Sequence, residues 1–247
     1  MPGAEAYLIA ERFKSVQGEG CYAGTPMAFI RFVGCSVGKK TCHACDTDFE
    51  HALPWRGGGR FDSTDLKRWA MPYEHICLTG GEPLDQDIRP MLFPFAPGDG
   101  VYTPMLHIET SGTRPLPLDA SHPDRRRLWI CVSPKPGFIE DVVLAADEVK
   151  VIVPGLGSGS DWPTPDDALR WAAAGKIVFL QPRNAKFDID KVNLTYVQDL
   201  LHDYPQLRLS VQLHKILKSH RSSLAMSLHL QDLLRLSVQL HKILKVQ

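Results

Sequence analysis

Residues 148–184, EVKVIVPGLGSGSDWPTPDDALRWAAAGKIVFLQPRN, contain one complete strand, helix and strand. EVKVIV at 148–153 and KIVFLQ at 176–181 are apolar, β-branched runs of strand length. TPDDALRWAAA at 164–174 carries the signals of a helix: Thr164 as N-cap, Pro165 at the first helical position, acids in the first turn, and Gly175 as a stop. Two strands joined through a helix lie parallel, because the crossover brings the chain back to the same end of the sheet. Working outward, runs of the same kind occur at 27–33 (MAFIRFV), 74–79 (EHICLT), 104–109 (PMLHIE) and 128–133 (LWICVS), with helical patterns at 63–71 and 188–203. The connection 110–127 is too rich in proline and turn formers for a helix, and 134–147 has room for a short one only. The chain therefore reads as α/β, a barrel-like and mostly parallel sheet with fewer helices than strands.

Unusual residues fall at the carboxyl ends of these strands. GCSVGKKTCHACDT follows the first run, TGGEP the second, ETSGT the third, SPK the fourth and QPRN the sixth. In a parallel barrel those ends share one rim, where sites are assembled from separate loops. Composition limits what such a site serves. Lys+Arg and Asp+Glu are each 28 in 247 residues, so the formal net charge is zero. That balance argues against a chain that grips nucleic acid through its phosphates. With 44% hydrophobic residues the chain can build a sizeable core, which excludes wholesale disorder. No apolar run approaches the ~18 residues of a membrane span, and MPGAEAYLIAERFKS lacks a secretory pattern. The expectation is a soluble cytoplasmic protein without nucleic-acid or membrane partners.

Three of the six cysteines crowd together as Cys35-x6-Cys42-x2-Cys45. In a reducing cytosol such a cluster points to metal binding rather than disulfides. Three thiolates on one loop suit zinc or an iron–sulfur cluster, and both stay open at this point. His43 could be a fourth zinc ligand, but the turn that gathers Cys42 and Cys45 would aim it elsewhere. Cys77 and Cys131 sit inside apolar runs, where a cysteine behaves as a small buried hydrophobe.

Thr79-Gly80-Gly81-Glu82-Pro83 ends the second run. Two glycines there allow backbone to approach a ligand closely, and the acid could accept hydrogen bonds from an amine. Together with a three-cysteine loop after the preceding strand, this resembles the radical S-adenosylmethionine superfamily. The resemblance narrows to the 7-carboxy-7-deazaguanine synthase family on an ordered set: SVQGEG at 15–20, AFIRFVGC at 28–35, CDTDF at 45–49, LTGGEPL at 78–84, HIETSGT at 107–113, SPK at 133–135, EVKVIV at 148–153, LQPRN at 180–184 and RLSVQLHKIL at 208–217.

The resemblance implies a partial (β/α)6-type radical-SAM barrel with a reduced helix count. It also implies a lyase that turns 6-carboxy-5,6,7,8-tetrahydropterin into 7-carboxy-7-deazaguanine and ammonia, in 7-deazapurine and queuosine biosynthesis. Its cofactors would be a [4Fe–4S] cluster on Cys35, Cys42 and Cys45, S-adenosylmethionine, and Mg²⁺ with Thr47 as ligand. The S-adenosylmethionine loops would be Ala44, Cys45 and Asp46, with Gly81, then Ser133, Pro134 and Lys135, and Gln181, Pro182, Arg183 and Asn184. The pterin would meet Val16, Gln17, Gly18, Arg31 and Thr79, the terminal carboxylate at Gln247, and less directly Glu19 and a histidine of the QLHK motif. Arg31 offers a planar fork of donors for a carboxylate, and Gln17 can both donate and accept along the pterin's amide edge. No catalytic acid or base side chain is expected, since the cofactor performs the difficult step. A homodimer and an electron donor, flavodoxin-like or other, are further family expectations.

The sequence departs from the family in three places. The x6 spacing exceeds the superfamily's usual x3. Serine stands at 111 where asparagine is usual, and QPRN replaces the more familiar QPMD. Lastly, LRLSVQLHKILK occurs twice without change, at 207–218 and 234–245. Only one copy can fill the family position, so the chain divides into a barrel domain at 1–218 and a surplus extension at 219–247. A radical S-adenosylmethionine enzyme of another specificity, such as an activating enzyme for a protein partner, and a non-catalytic zinc-binding protein are the alternatives.

Overall fold

Period-two alternation sorts strand residues onto two faces. In the computed structural model, which describes residues 6–45, 47–92, 104–155, 161–184 and 190–213, the strands form one nine-stranded sheet. Six are the expected runs: β2 (Pro26–Phe32), β4 (His75–Gly80), β5 (Met105–Thr110), β6 (Leu128–Val132), β7 (Glu148–Val153) and β8 (Ile177–Pro182). They lie in chain order and pair in parallel throughout. Three more strands lie outside the expected set. β1 (Tyr7–Val16) runs antiparallel to β2, β3 (Gly59–Phe61) antiparallel to β1, and β9 (Arg208–Leu209) parallel to β8. Among the described residues β3 and β9 are therefore the edges, and the hydrogen-bonded sheet forms an open partial barrel.

The helices stand where the periodicity puts them: α2 (Ser63–Ala70), α5 (Pro165–Ala173) and α6 (Lys191–Asp203), the last preceded by residues outside the described set. α5 starts with a reciprocal cap in which Asp167 N–H donates to Thr164 Oγ1 (3.3 Å) and Thr164 N–H to the Asp167 carboxylate (2.9 Å). Such a cap is worth ~1 kcal/mol. α4 (Glu140–Ala145) is the short helix expected in 134–147, while α1 (Gly38–Thr41) and α3 (Arg89–Leu92) are single turns. The Pro-rich connection 110–127 holds only a 3₁₀ stretch, Pro123–Arg127.

One face of each strand packs beneath the helices. Ile30, Leu78, Ile108, Ile130, Val151 and Leu180 are fully buried there, against Leu66 of α2, Val143 of α4, Trp171 of α5 and Val197 of α6. The other face lines the barrel interior. Near the amino ends of the strands it is apolar and aromatic: Met27, Phe29 and Cys77 pack with Phe13 and Tyr22, and Tyr22 also packs on His75, His107 and Trp129. Toward the carboxyl ends the same face presents Thr79, Glu109, Cys131, Lys150 and Gln181 to a cavity.

Candidate active site

Beyond β2 the chain turns twice to bring the cysteines together. α1 occupies the six-residue spacing, with Cys42 N–H donating to the Gly38 carbonyl (3.1 Å), and a second turn follows in which Cys45 N–H donates to the Cys42 carbonyl (3.0 Å). One helical turn thus absorbs the long spacing, and Cys35, Cys42 and Cys45 all reach the wall of one cavity. Burial pushes the Cys42 thiol up to about 11 against the opposing pull of the Lys135 ammonium, and burial also raises Cys35. His43 is exposed and outside the cavity wall. Among the described residues no three His, Cys, Asp or Glu side chains form a group able to hold a single metal ion. Three cysteines on the wall of one cavity supply the thiolate donors that an iron–sulfur cluster takes.

The TGGEP loop lies directly against the cysteine loop. Gly81 N–H donates to the Phe32 carbonyl (3.3 Å) and Glu82 N–H to the Gly34 carbonyl (3.0 Å). A side chain on Gly81 would collide with the Gly34 carbonyl and with Cys35, so only glycine lets the two loops meet. Glu82 corrects the sequence reading. Its carboxylate is fully buried and accepts from Leu84 N–H (3.1 Å), Thr110 Oγ1 (2.8 Å), Ser111 N–H (2.8 Å) and the Ser111 hydroxyl. The acid is committed to the ETSGT loop rather than offered to a ligand amine.

Across the cavity stands a charged network that the sequence reading left incomplete. Lys150 Nζ lies 2.6 Å from Glu19 and 3.9 Å from Glu109. Glu109 accepts from Thr79 Oγ1 (2.8 Å) and Gln17 Nε2 (3.0 Å), and Glu19 from Gln212 Nε2 (2.9 Å). Burial alone would depress the Lys150 ammonium; the Cys131 sulfur and the carboxylates of Glu19, Glu109 and Glu148 outweigh it and hold Lys150 well above its ordinary value. Glu109, Lys150 and Gln212 line the cavity; Lys150, which taken alone reads as a solvated loop charge, is instead buried within β7, and Glu109 and Gln212 are not among the expected site residues. Strand parity could have found Glu109 and Lys150. Val149 and Val151 belong to the core, so Lys150 must point inward, and a lysine in that position is tolerated only when paired.

Most of the singled-out residues reach the same cavity. Ala44, Thr47, Thr79 and Gly81 line it, as do Glu19, Ser133 and Lys135. Lys135 Nζ donates to the Ser133 carbonyl and hydroxyl, both at 2.7 Å, and burial lowers its affinity for the proton. Gln181, Pro182, Arg183 and Asn184 complete the wall at the end of β8, with Ser111 opposite. Val16, Gln17, Gly18, Arg31 and Pro134 do not line it. Gln17 is joined to it through Glu109. Arg31 sits beside Thr79 in register and gives its Nε to Glu11 at 2.9 Å. Asp46, His214 and Gln247 lie outside the described residues.

The first copy of the duplicated segment enters this architecture. Ser210 N–H donates to the Leu180 carbonyl (3.0 Å) and Leu213 N–H to the Gly18 carbonyl (3.2 Å). Ser210 Oγ donates to Gln181 (3.0 Å), while Gln212 bridges Glu19 and Asn184.

No protein-family model matches the chain. The 7-carboxy-7-deazaguanine synthase of Burkholderia multivorans is 32% identical over 232 residues, covering 85% of this chain and 98% of that protein. The Synechocystis protein of the same name is 33% identical over 216 residues, covering 86% and 93%, and that of Bordetella pertussis 34% over 229, covering 85% and 97%. The crystal structure of QueE from Escherichia coli superposes with a TM-score of 0.59 at 25% identity, covering 84% of this chain and 94% of that one.

Proposed function

The chain belongs to the 7-carboxy-7-deazaguanine synthase family, and we infer from that membership that it is a radical S-adenosylmethionine lyase. It converts 6-carboxy-5,6,7,8-tetrahydropterin to 7-carboxy-7-deazaguanine with release of ammonia, in 7-deazapurine and queuosine biosynthesis. The observation that carries this reading is 32–34% identity over 93–98% of the length of relatives bearing that name. When bound, a [4Fe–4S] cluster with S-adenosylmethionine supplies the one-electron chemistry that yields a hydrogen-abstracting radical.

The protein's own part is to bind, orient and exclude water. Cys35, Cys42 and Cys45 hold the cluster in this reading, which their shared place on the cavity wall supports. Ala44, Asp46, Gly81, the Ser133–Lys135 stretch and the Gln181–Asn184 stretch contact S-adenosylmethionine. The pterin takes the side of Thr79 and Glu19, with Val16, Gln17, Gly18, Arg31 and Gln247 as its further contacts; Gln17 acts through its hydrogen bond to Glu109. Thr47 supplies a hydroxyl oxygen to Mg²⁺, a hard cation that also accepts a substrate carboxylate. We place the enzyme in the cytoplasm as a homodimer that receives electrons from a flavodoxin-like or other carrier. Among the described residues no helix is long and apolar enough to cross a membrane.

Anaerobic purification and assay test the reading. The expected protein is brown, absorbs broadly near ~400 nm, carries about four irons per chain, and forms 7-carboxy-7-deazaguanine from the carboxy-tetrahydropterin with reductant and S-adenosylmethionine. A colourless protein holding one zinc and forming no product rejects it.

A further inference from the structure

We propose that Lys150 is a positioning residue of this site, the cation that fixes Glu19 and Glu109 as a pair of carboxylates facing the pterin. The inference rests on the function proposed above. Lys150 stands mid-strand on β7 between two core valines, its side chain 6% exposed, in a barrel interior where an apolar residue would pack at lower cost. The two carboxylates it meets come from separate parts of the chain. Glu109 lies at the carboxyl end of β5, while Glu19 lies in the connection after β1 and also accepts from Gln212 Nε2. One cation between two anions leaves a net negative, acceptor-rich wall, which complements the N–H-rich edge of a pterin. Without the cation, two carboxylates would face each other in a poorly solvated cavity; one would swing away or take up a proton.

The other charged or titratable groups around Lys150 do not substitute for it. Cys131 of β6 is a buried thiol raised well above its ordinary value, Glu148 accepts from Cys21 N–H (2.8 Å), and Lys135 has the same sign. Arg31 of β2 is paired with Glu11, and Cys77 of β4 is buried and held protonated by burial.

The test compares Lys150→Met, which keeps the stem, with Lys150→Arg, which keeps the charge, in the reconstituted holoenzyme. Lys150→Met should raise KM for the carboxy-tetrahydropterin by about tenfold or more and weaken binding of 7-carboxy-7-deazaguanine by a similar factor. It should also move the acid limb of the kcat/KM profile up by about one pH unit. Iron content and affinity for S-adenosylmethionine should not change, and Lys150→Arg should recover most of the loss. Should Lys150→Met fail to fold, Lys150→Gln removes the charge while keeping an N–H for Glu19 and gives the same result. A Met or Gln variant with wild-type KM, product affinity and pH profile overturns the proposal, as does a folded Arg variant as impaired as the Met variant, since restoring the charge would then restore nothing. If the wild-type holoenzyme makes no product, the proposed function fails instead.

Discussion

Glu82 illustrates how a single residue can be read correctly as important and wrongly as to its task. The glycines before it signal close approach, and the structure places Gly81 where no side chain fits. The carboxylate, however, answers to donors 28 and 29 residues farther along, on Thr110 and Ser111, and such partners leave no local trace. Glu82→Gln would bring an amide N–H₂ against these donors and strand at least one of them inside the protein. We expect a loss of ~2 kcal/mol in unfolding free energy, read as a lower urea midpoint at unchanged slope. An unaltered midpoint would mean that the loops are held together by something else. Glu109 and Lys150 are the opposite case: parity along their strands was sufficient to point both into the barrel, and only their partners required coordinates.

Among elements, legibility followed burial on both sides. The six parallel strands carry helices on one face and the barrel interior on the other, so each reads as a mainly apolar run, interrupted by single polar residues such as Arg31, Glu109 and Lys150. β1 escaped notice because YLIAERFKSV interleaves charges, of which Glu11 pairs with Arg31 across the ladder. β3 and β9 are too short to show a period. The amino end of the barrel holds an element-scale consequence of its own. His75 Nδ1 and His107 Nε2 lie 2.9 Å apart, so one ring donates to the other and the accepting nitrogen carries no proton. Burial, with a further push from His75, holds His107 down to about 3. The unfolded chain takes up that proton near pH 6.5 and the fold refuses it, so the stabilisation is complete above pH 6.5 and drains away as pH falls toward 3. The slope is ~1.4 kcal/mol per pH unit. His107→Phe, which preserves ring packing on Tyr22 and Trp129, should flatten the stability-versus-pH curve between pH 6 and 4 by about that slope. Parallel curves for wild type and variant would contradict the assignment.

At the scale of the whole molecule, the open sheet makes its last strand part of the site. β9 and the residues after it bring Ser210 to Gln181 and Gln212 to both Glu19 and Asn184, joining the pterin side of the cavity to the S-adenosylmethionine side. These residues belong to the first copy of LRLSVQLHKILK, and while they hold the edge of β8 the identical second copy cannot. We therefore propose that residues 219–247 are surplus to the barrel. The duplication makes this unusually easy to test, because removing 219–245 or removing 207–233 leaves the same 220-residue protein ending HKILKVQ. That protein should keep its thermal midpoint and its rate of product formation, and failure to fold would show that the extension is needed. Point substitutions in the full chain then decide which copy serves the site. Gln212→Leu strips a donor from Glu19 and should raise KM for the carboxy-tetrahydropterin by about tenfold, whereas Gln239→Leu, the same change in the second copy, should leave KM at its wild-type value. The reverse pattern would put the second copy at the sheet edge and make the first copy the surplus one.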